Sequence, residues 1–486
     1  MHKLQRRFPY DPAVHNKWEK ELIETVIAYI KHINEIVNPT KTLYIGVDGV
    51  APMAKIKQQR MRRFKSAIQA EQEARVKAEA RGHVYVELPR WDTNAITPGT
   101  EFMNKLTLAL REYAKTNRKI IVSPADEPGE GEQKIMAWVR EQKADDVVVY
   151  GLDADLIVLS LWTHATMGVR MDLFREETEF NGTIKEDMLG ETQYLFMNIQ
   201  HLASLLHTTY GRKEQSRSAF LQDFVGLMSI LGNDFVCHGM GLKIKDEGVE
   251  KLLGIQCAEP LVINDGDVWR YNVKTLTHIF KMLVPQEPAW ILKNVKKKLE
   301  ARVGATASKN PEDQAMARFN DAPVEWAADR VLIEYSDEKQ LKKGWRQIYD
   351  KEAMLGSNAP HVYLQSLAWT LAYYSGQSVD MEWYYPWFLP PRMESILEAL
   401  AVQEKLDVPN TVRPVLKPLE QLAMVLPQSS FGLLPTEYRN LDKEHPHAWP
   451  IAWKTYSFGR RYLWECEPLI PLIQADQIRA WTVPKK

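Results

Sequence analysis

An α/β fold with a central, mostly parallel sheet, followed by a mainly helical second region, is the architecture this sequence predicts. Three observations predict it. Short apolar runs at 42–47, 119–123 and 146–150 alternate with longer stretches of helical periodicity, the pattern of strands linked by crossover helices. The first and third runs give way directly to Asp48 and to Asp153 and Asp155, each beside a glycine that breaks the strand. From about Asp337 onward helical and aromatic-rich segments dominate, among them Ala368–Phe388.

Residues 1–16 read as irregular. Apolar residues at Trp18, Leu22, Val26, Ile30, Ile33 and Val37 recur at helical spacing, and Asn38-Pro39 stops that helix. Thr42–Val47 is a buried strand. Ala54 to Arg81 is one long charged helix, solvated beyond its first turns and stopped by Gly82. Phe102–Thr116 is an amphipathic helix and Lys119–Ser123 a short strand. Pro128-Gly129 opens a helix that runs to Gln142, and Asp146–Tyr150 is the next strand. Gln193–Met197 forms a further strand; His201–Leu206, Phe220–Leu231 and Lys245–Leu253 are helical. Between 255 and 335 no chemistry stands out, and the four lysines within Lys293–Lys298 read as a solvated helix face. The expected division is 1–254, 255–336 and 337–486.

The 486 residues, 45% of them hydrophobic, suffice for a substantial core and roughly two to four domains. With 62 Lys and Arg against 63 Asp and Glu, bulk charge points to no partner, so any nucleic-acid reading rests on local clustering. Cys237, Cys257 and Cys466 lie too far apart for a disulfide framework or a cysteine zinc site, which fits a reducing compartment. No apolar run approaches a membrane span, and no signal-peptide core follows the basic N-terminus. The lack of a clear basic import cluster favours the cytoplasm, with the nucleus as the alternative.

The chemistry gathers around Leu43–Arg63, where a strand ends at Asp48 and a basic helix follows. In an open α/β sheet ligands sit outside the carboxyl ends of the strands. Five further acids hold comparable places: Glu130 and Glu132 at a helix start, Asp153 and Asp155 after a strand, and Asp234 after an apolar helix. Each alone is ordinary, since acids suit helix N-termini and turns. Six converging on one sheet edge are unfavourable unless cations neutralise them. An oxygen-only set without His or Cys suits Mg²⁺ or Mn²⁺, and two such ions serve phosphodiester cleavage. Lys55, Gln59, Arg62 and Arg63, spaced i, i+4, i+7 and i+8, share one helix face. A guanidinium fork with an amide and an ammonium suits a terminal phosphate.

These residues resemble the XRN family of 5′→3′ exoribonucleases. The likeness rests on Ile45-Gly-Val-Asp-Gly-Val-Ala-Pro-Met-Ala-Lys55 with the basic run to Phe64, on Pro128-Gly-Glu-Gly-Glu132, on Tyr150-Gly-Leu-Asp-Ala-Asp155 and on Gly232-Asn-Asp-Phe235. It continues in Trp369-Thr-Leu-Ala-Tyr-Tyr374, Trp383-Tyr-Tyr-Pro386 and Pro418–Pro427. The motifs stand in the family's order and cover roughly residues 20–475; the stretch 255–335 matches least. The resemblance implies a PIN/flap-nuclease-like α/β domain, braced by a second conserved region. By it, Asp48, Glu130, Glu132, Asp153, Asp155 and Asp234 are metal ligands or their close supports. Lys55, Gln59, Arg62 and Arg63 would hold a 5′-monophosphate, and Trp369 would stack on a base. Family members open on a strand carrying a further metal-binding Asp, then a stacking His; neither has a counterpart here, and Met53 stands where a basic residue is common. The expected activity is removal of mononucleotides from 5′-monophosphorylated single-stranded RNA, with two Mg²⁺ or Mn²⁺ ions. The alternatives are a catalytically impaired RNA-binding or scaffold protein of the same fold, and a flap-type structure-specific nuclease.

Overall fold

A computed structural model describes residues 9–87, 89–151, 153–178, 184–186, 192–266, 268–334 and 340–483. The amphipathic stretch around Trp18 becomes α1 (His15–Val37), closed by Asn38 in the left-handed region at φ 48°. Then come β1 (Leu43–Gly46), α2 (Met53–Ala80), α3 (Glu101–Lys115), β2 (Ile120–Ser123), α4 (Gly131–Gln142), β3 (Asp146–Tyr150), α5 (Asp155–Met167), β4 (Arg170–Glu176) and β5 (Tyr194–Asn198). The spans match the sequence reading to within a few residues, except that α5 and β4 were not foreseen. In β4 the charged residues Arg170, Asp172, Arg175 and Glu176 hide an alternating strand, in which Met171 and Leu173 are buried.

The expected single sheet is corrected in one respect: among the described residues the strands form separate ladders. β1 pairs with β2 in parallel, Leu43 opposite Ile120. β3 pairs with β4 in parallel, Asp146 opposite Arg170, and β5 runs antiparallel to β4. Helices α1 and α4 touch both ladders. Tyr44 of β1 meets Trp138 of α4 at 5.2 Å, while Met136 and Val139 of α4 share a core with Val149 of β3. Tyr29 of α1 reaches Tyr150 of β3 at 6.3 Å and packs on the β1 side beside Ile45.

Helices α6 (Ile199–Tyr210), α7 (Arg217–Ile230) and α8 (Gly248–Leu253) lead to a hairpin, β6 (Val262–Asp265) and β7 (Val268–Tyr271), and to α9 (Val273–Leu283), α10 (Glu287–Leu299), α11 (Pro311–Asn320) and α12 (Ala322–Trp326). The lysine run in α10 is only partly a solvated face. Lys298 is buried and pairs with buried Asp329 at 3.0 Å, because its register on α10 points inward. The boundary placed at Asp337 lies outside the described residues. Beyond it follow α13 (Trp345–Glu352), α14 (Ala359–Tyr374), α15 (Met393–Leu400) and α16 (Pro418–Val425).

Two shared cores fix the site. One joins α4, α5, α7 and α9 to α14 and α15, through Met136, Trp162, Leu276 and Trp369. The other seats the first half of α2, with Ile56, Met61 and Phe64, on α16 and the C-terminal segment, with Leu422, Met424 and Trp449. Arg60 lies inside this second core; it donates from Nε to Pro471 O at 3.0 Å and from its two terminal nitrogens to Met424 O and Ala448 O. Burial without a carboxylate partner drops its guanidinium to about 9. The start of α2 is thereby held rigid.

Candidate active site

Asp48 follows β1 in a loop tied to the start of α4. Gly49 N–H donates to Gly129 O at 2.8 Å, and Gly129 N–H returns a bond to Val50 O at 2.8 Å. Gly129 has φ 106°, which a side chain would strain, and a Cβ on Gly49 would lie 1.8 Å from Glu127 O. The close approach lets the Gly131 N–H, at the N-terminus of α4, donate to Asp48 Oδ1 at 2.7 Å, where the helix dipole favours a carboxylate.

Glu130 precedes α4 and is buried. Its Oε1 lies 2.9 Å from Lys55 Nζ, and its Oε2 accepts from the Tyr373 hydroxyl of α14 at 2.8 Å. Asp234 sits in a turn after α7, made by Gly232 at φ 96° and by Asn233, whose Oδ1 accepts the N–H groups of Phe235 and Val236 at 2.9 Å. Asp234 Oδ2 accepts from Lys55 Nζ at 2.5 Å and Oδ1 from Gln58 Nε2 at 2.7 Å. One ammonium therefore bridges acids 104 positions apart in the chain (130 and 234), and Glu130 and Asp234 hold it well above the usual lysine range against burial.

The other acids join this neighbourhood electrostatically. Burial and the charge of Glu130 push Glu132 up to about 8, with Asp155 and Asp48 adding to the shift. Burial, Asp234 and Asp153 raise Asp155. Asp48 and Asp153 are exposed at the margin. All six predicted acids thus lie within electrostatic reach of at least one other, four of them also within reach of Lys55 and Asp48 within reach of Lys134. The set is oxygen-only and overloaded with negative charge, so its donor chemistry suits a hard divalent cation. Among the described residues, no group of three or more His, Cys, Asp or Glu converges tightly enough to hold an ion, and Lys55 occupies the space between Glu130 and Asp234.

The predicted cationic face divides. Lys55 faces the acids. Arg62 is exposed, and Arg63 is half-buried, with Nη1 donating to Thr97 Oγ1 at 2.6 Å. Burial and the neighbouring charge of Arg62 drop Arg63 to about 10. Among the described residues neither arginine has a carboxylate within ion-pair distance, and Gln59 Oε1 is buried without a partner.

Trp369 requires a correction. It is wholly buried, its indole N–H donates to Asp380 O at 2.9 Å, and its ring stacks on Tyr373 at 4.9 Å and Trp383 at 5.8 Å. No ring face is free for a base, because α14 is buried on every side from Ser366 to Tyr374. Sequence reasoning missed Tyr373 and Gln58, the side chains that orient Glu130 and Asp234. The available signal was spacing: Tyr373 follows Trp369 by one turn, and Gln58 follows Lys55 by one turn.

Comparison with known proteins adds a family. Residues 2–177 match the model for the XRN 5′-3′ exonuclease N-terminus, and residues 334–483 match that for the Xrn1 helical domain. Similar relatives include 5′-3′ exoribonuclease 1 of Homo sapiens, 28% identical over 97% of this chain and 31% of the relative. The corresponding protein of Schizosaccharomyces pombe is 27% identical over 95% of this chain and 44% of the relative. The 5′-3′ exoribonuclease 2 of Arabidopsis thaliana is 26% identical over 94% and 59%. The chain thus spans from 31% to 59% of the length of these relatives. Asp48, Glu130, Glu132, Asp153 and Asp155 fall within the first matched region, Trp369 and Tyr373 within the second, and Asp234 between them.

Proposed function

The chain belongs to the XRN family of 5′→3′ exoribonucleases, and from that premise we propose that it degrades 5′-monophosphorylated single-stranded RNA from the 5′ end to mononucleotides. The observation that carries the reading is the gathering of Glu130, Glu132, Asp155 and Asp234 around the ammonium of Lys55, with Asp48 and Asp153 coupled to that group through Glu132 and Asp155, at the foot of a helix that continues into Arg62 and Arg63. Asp48, Glu130, Glu132, Asp153, Asp155 and Asp234 would hold two Mg²⁺ or Mn²⁺ ions. When bound, these ions supply Lewis-acid neutralisation of charge on the scissile phosphate.

The protein's own groups do the positioning. The Gly131 N–H fixes Asp48, the Tyr373 hydroxyl fixes Glu130, and the Gln58 amide fixes Asp234. Arg62 and Arg63, with Gln59 and Lys55 on the same helix, receive the terminal phosphate, which offers the counter-charge these arginines lack. On this reading residues 1–254 form the PIN/flap-nuclease-like domain, 255–336 a variable segment and 337–486 the brace, in a protein of the cytoplasm or, alternatively, the nucleus. Among the described residues no helix is long and apolar enough to cross a membrane.

A second reading, an RNA-binding protein without turnover, is favoured by one observation: Lys55 closes the gap between Glu130 and Asp234. Incubating the purified chain with 5′-phosphate and 5′-hydroxyl RNA, in Mg²⁺, Mn²⁺ or EDTA, separates the two. Release of mononucleotides from the 5′-phosphate substrate in divalent cation alone is the expected result. Retention of intact RNA under every condition selects the second reading, and a preference for branched DNA selects a structure-specific nuclease instead.

A further inference from the structure

On the flank of α2 that carries Lys57, a cavity of about 550 Å³ opens beside Asp234 and Gln58, within the size range of small-molecule sites. Its walls hold three cations for which, among the described residues, no carboxylate lies within ion-pair distance. Lys57 Nζ donates only to Tyr385 O at 2.7 Å and Trp387 O at 3.1 Å. Lys243 Nζ reaches only Gly459 O, at 3.4 Å. Arg460 is buried; it donates from Nη2 to Phe388 O at 2.7 Å and from Nη1 to the His238 ring, while its Nε has no partner. Burial and Arg460 push His238 down to about 3, so the ring is neutral and accepts from the guanidinium.

The acids of the same cavity have other partners at close range, while Glu465 acts on Lys243, and Glu467 on Lys57 and Arg460, only from beyond ion-pair distance. Glu465 accepts the N–H groups of Arg461 and Tyr462 at 2.9 and 3.2 Å and faces Lys245 at 3.4 Å. Asp234 is held by Lys55 and Gln58. Glu467 lies 3.9 Å from Lys65 and keeps one oxygen without a hydrogen bond. Buried cations are normally paired, and three around one cavity favour an anion that enters it. Trp387, Phe388 and the half-exposed Trp464 supply an aromatic wall, a surface on which a base stacks whatever its identity. Arg460 is buried and Lys57 and Lys243 are half-buried around a single cavity, which suits a terminal phosphate monoester better than a continuous strand.

We propose that this cavity binds a nucleoside 5′-monophosphate, its phosphate among Lys57, Lys243 and Arg460 and its base against the aromatic wall. The choice of a 5′-monophosphate rests on the exonuclease reading, of which it is the product; shared Asp234 and Gln58 place the cavity next to where that product forms. The site itself rests on the unpaired cations.

The full chain is titrated calorimetrically with AMP in EDTA, with adenosine and inorganic phosphate as parallel titrants. AMP is expected to bind more tightly than either fragment. Lys243→Met and Trp464→Ala, with melting curves to establish their fold, are each expected to weaken AMP about tenfold, and Arg62→Ala, at the helix face assigned to the RNA terminus, to leave the Lys243-dependent binding in place. No saturable AMP binding, or binding that survives Lys243→Met and Trp464→Ala but is lost in Arg62→Ala, overturns the site. Initial cleavage rates on 5′-phosphate RNA distinguish this from the exonuclease reading. AMP binding that depends on Lys243, in a chain that cleaves no RNA, supports the cavity and counts against the proposed activity.

Discussion

Lys55 and Lys57 stand two positions apart on α2 and therefore point to opposite sides of it. Lys55 meets Glu130 at 2.9 Å and Asp234 at 2.5 Å. Lys57 meets two backbone carbonyls and the ring of Phe388 at 5.3 Å. Burial opposes charge on both. Two carboxylates reverse its effect on Lys55, whereas Lys57 falls to about 8. One flank has more carboxylates than cations, and the other has Lys57, Lys243 and Arg460 with no carboxylate at ion-pair distance among the described residues. A run of basic residues is thus not a single patch: its effect depends on what each side chain finds opposite it.

The most damaging single change to this contrast is expected at Lys55. Lys55→Met leaves buried Glu130 without its counter-charge, at a cost of about 4 kcal/mol, read as a fall in the urea midpoint in EDTA. Millimolar Mg²⁺ or Mn²⁺ should restore much of the loss, since a divalent cation can replace the ammonium among the acids. Arg60→Met should cost about 3 kcal/mol, because three buried carbonyls lose a charged donor, and divalent cations should restore none of it. Recovery of Arg60→Met by Mg²⁺, with no recovery of Lys55→Met, would remove the acid cluster as a cation site. Lys57→Met should cost only about 1 kcal/mol: two carbonyls lose a donor, but an ammonium without a counter-charge is removed as well.

The sequence made most elements legible, because period and punctuation agree. The apolar spacing of α1 stops at Asn38-Pro39, and β3 occupies Asp146–Tyr150 as expected. β4 was missed because four charged residues among its seven, one of them the buried Glu176, mask its buried apolar residues. At the site, the acids were legible as carboxylates next to strand ends and glycines. What they touch was not, since Lys55 bridges Glu130 and Asp234 only through long-range packing of α2, α4 and α7. Trp369 shows the same limit from the other side. Its aromatic neighbourhood was visible in Ala368–Phe388, but full burial between Tyr373 and Trp383 depends on the core shared with α7. The cavity on the Lys57 flank was illegible, because Lys57, Lys243 and Arg460 come from three distant segments.

The smallest expected effect on stability falls at Arg62. Its side chain is exposed, so Arg62→Ala should change the urea midpoint by no more than about 0.5 kcal/mol. Its expected effect is on selectivity: the ratio of kcat/KM for 5′-phosphate over 5′-hydroxyl RNA should fall about tenfold, the worth of one charge-assisted hydrogen bond. Arg63→Ala provides the control on the same turn. It removes the bond to Thr97 and leaves that hydroxyl without its donor from Nη1, so it should lower stability by about 1 kcal/mol as well as selectivity. If Arg62→Ala lost stability but kept its preference for the 5′-phosphate, this stretch of α2 would be a structural face like the one at Arg60, and the terminal phosphate would have to be held elsewhere.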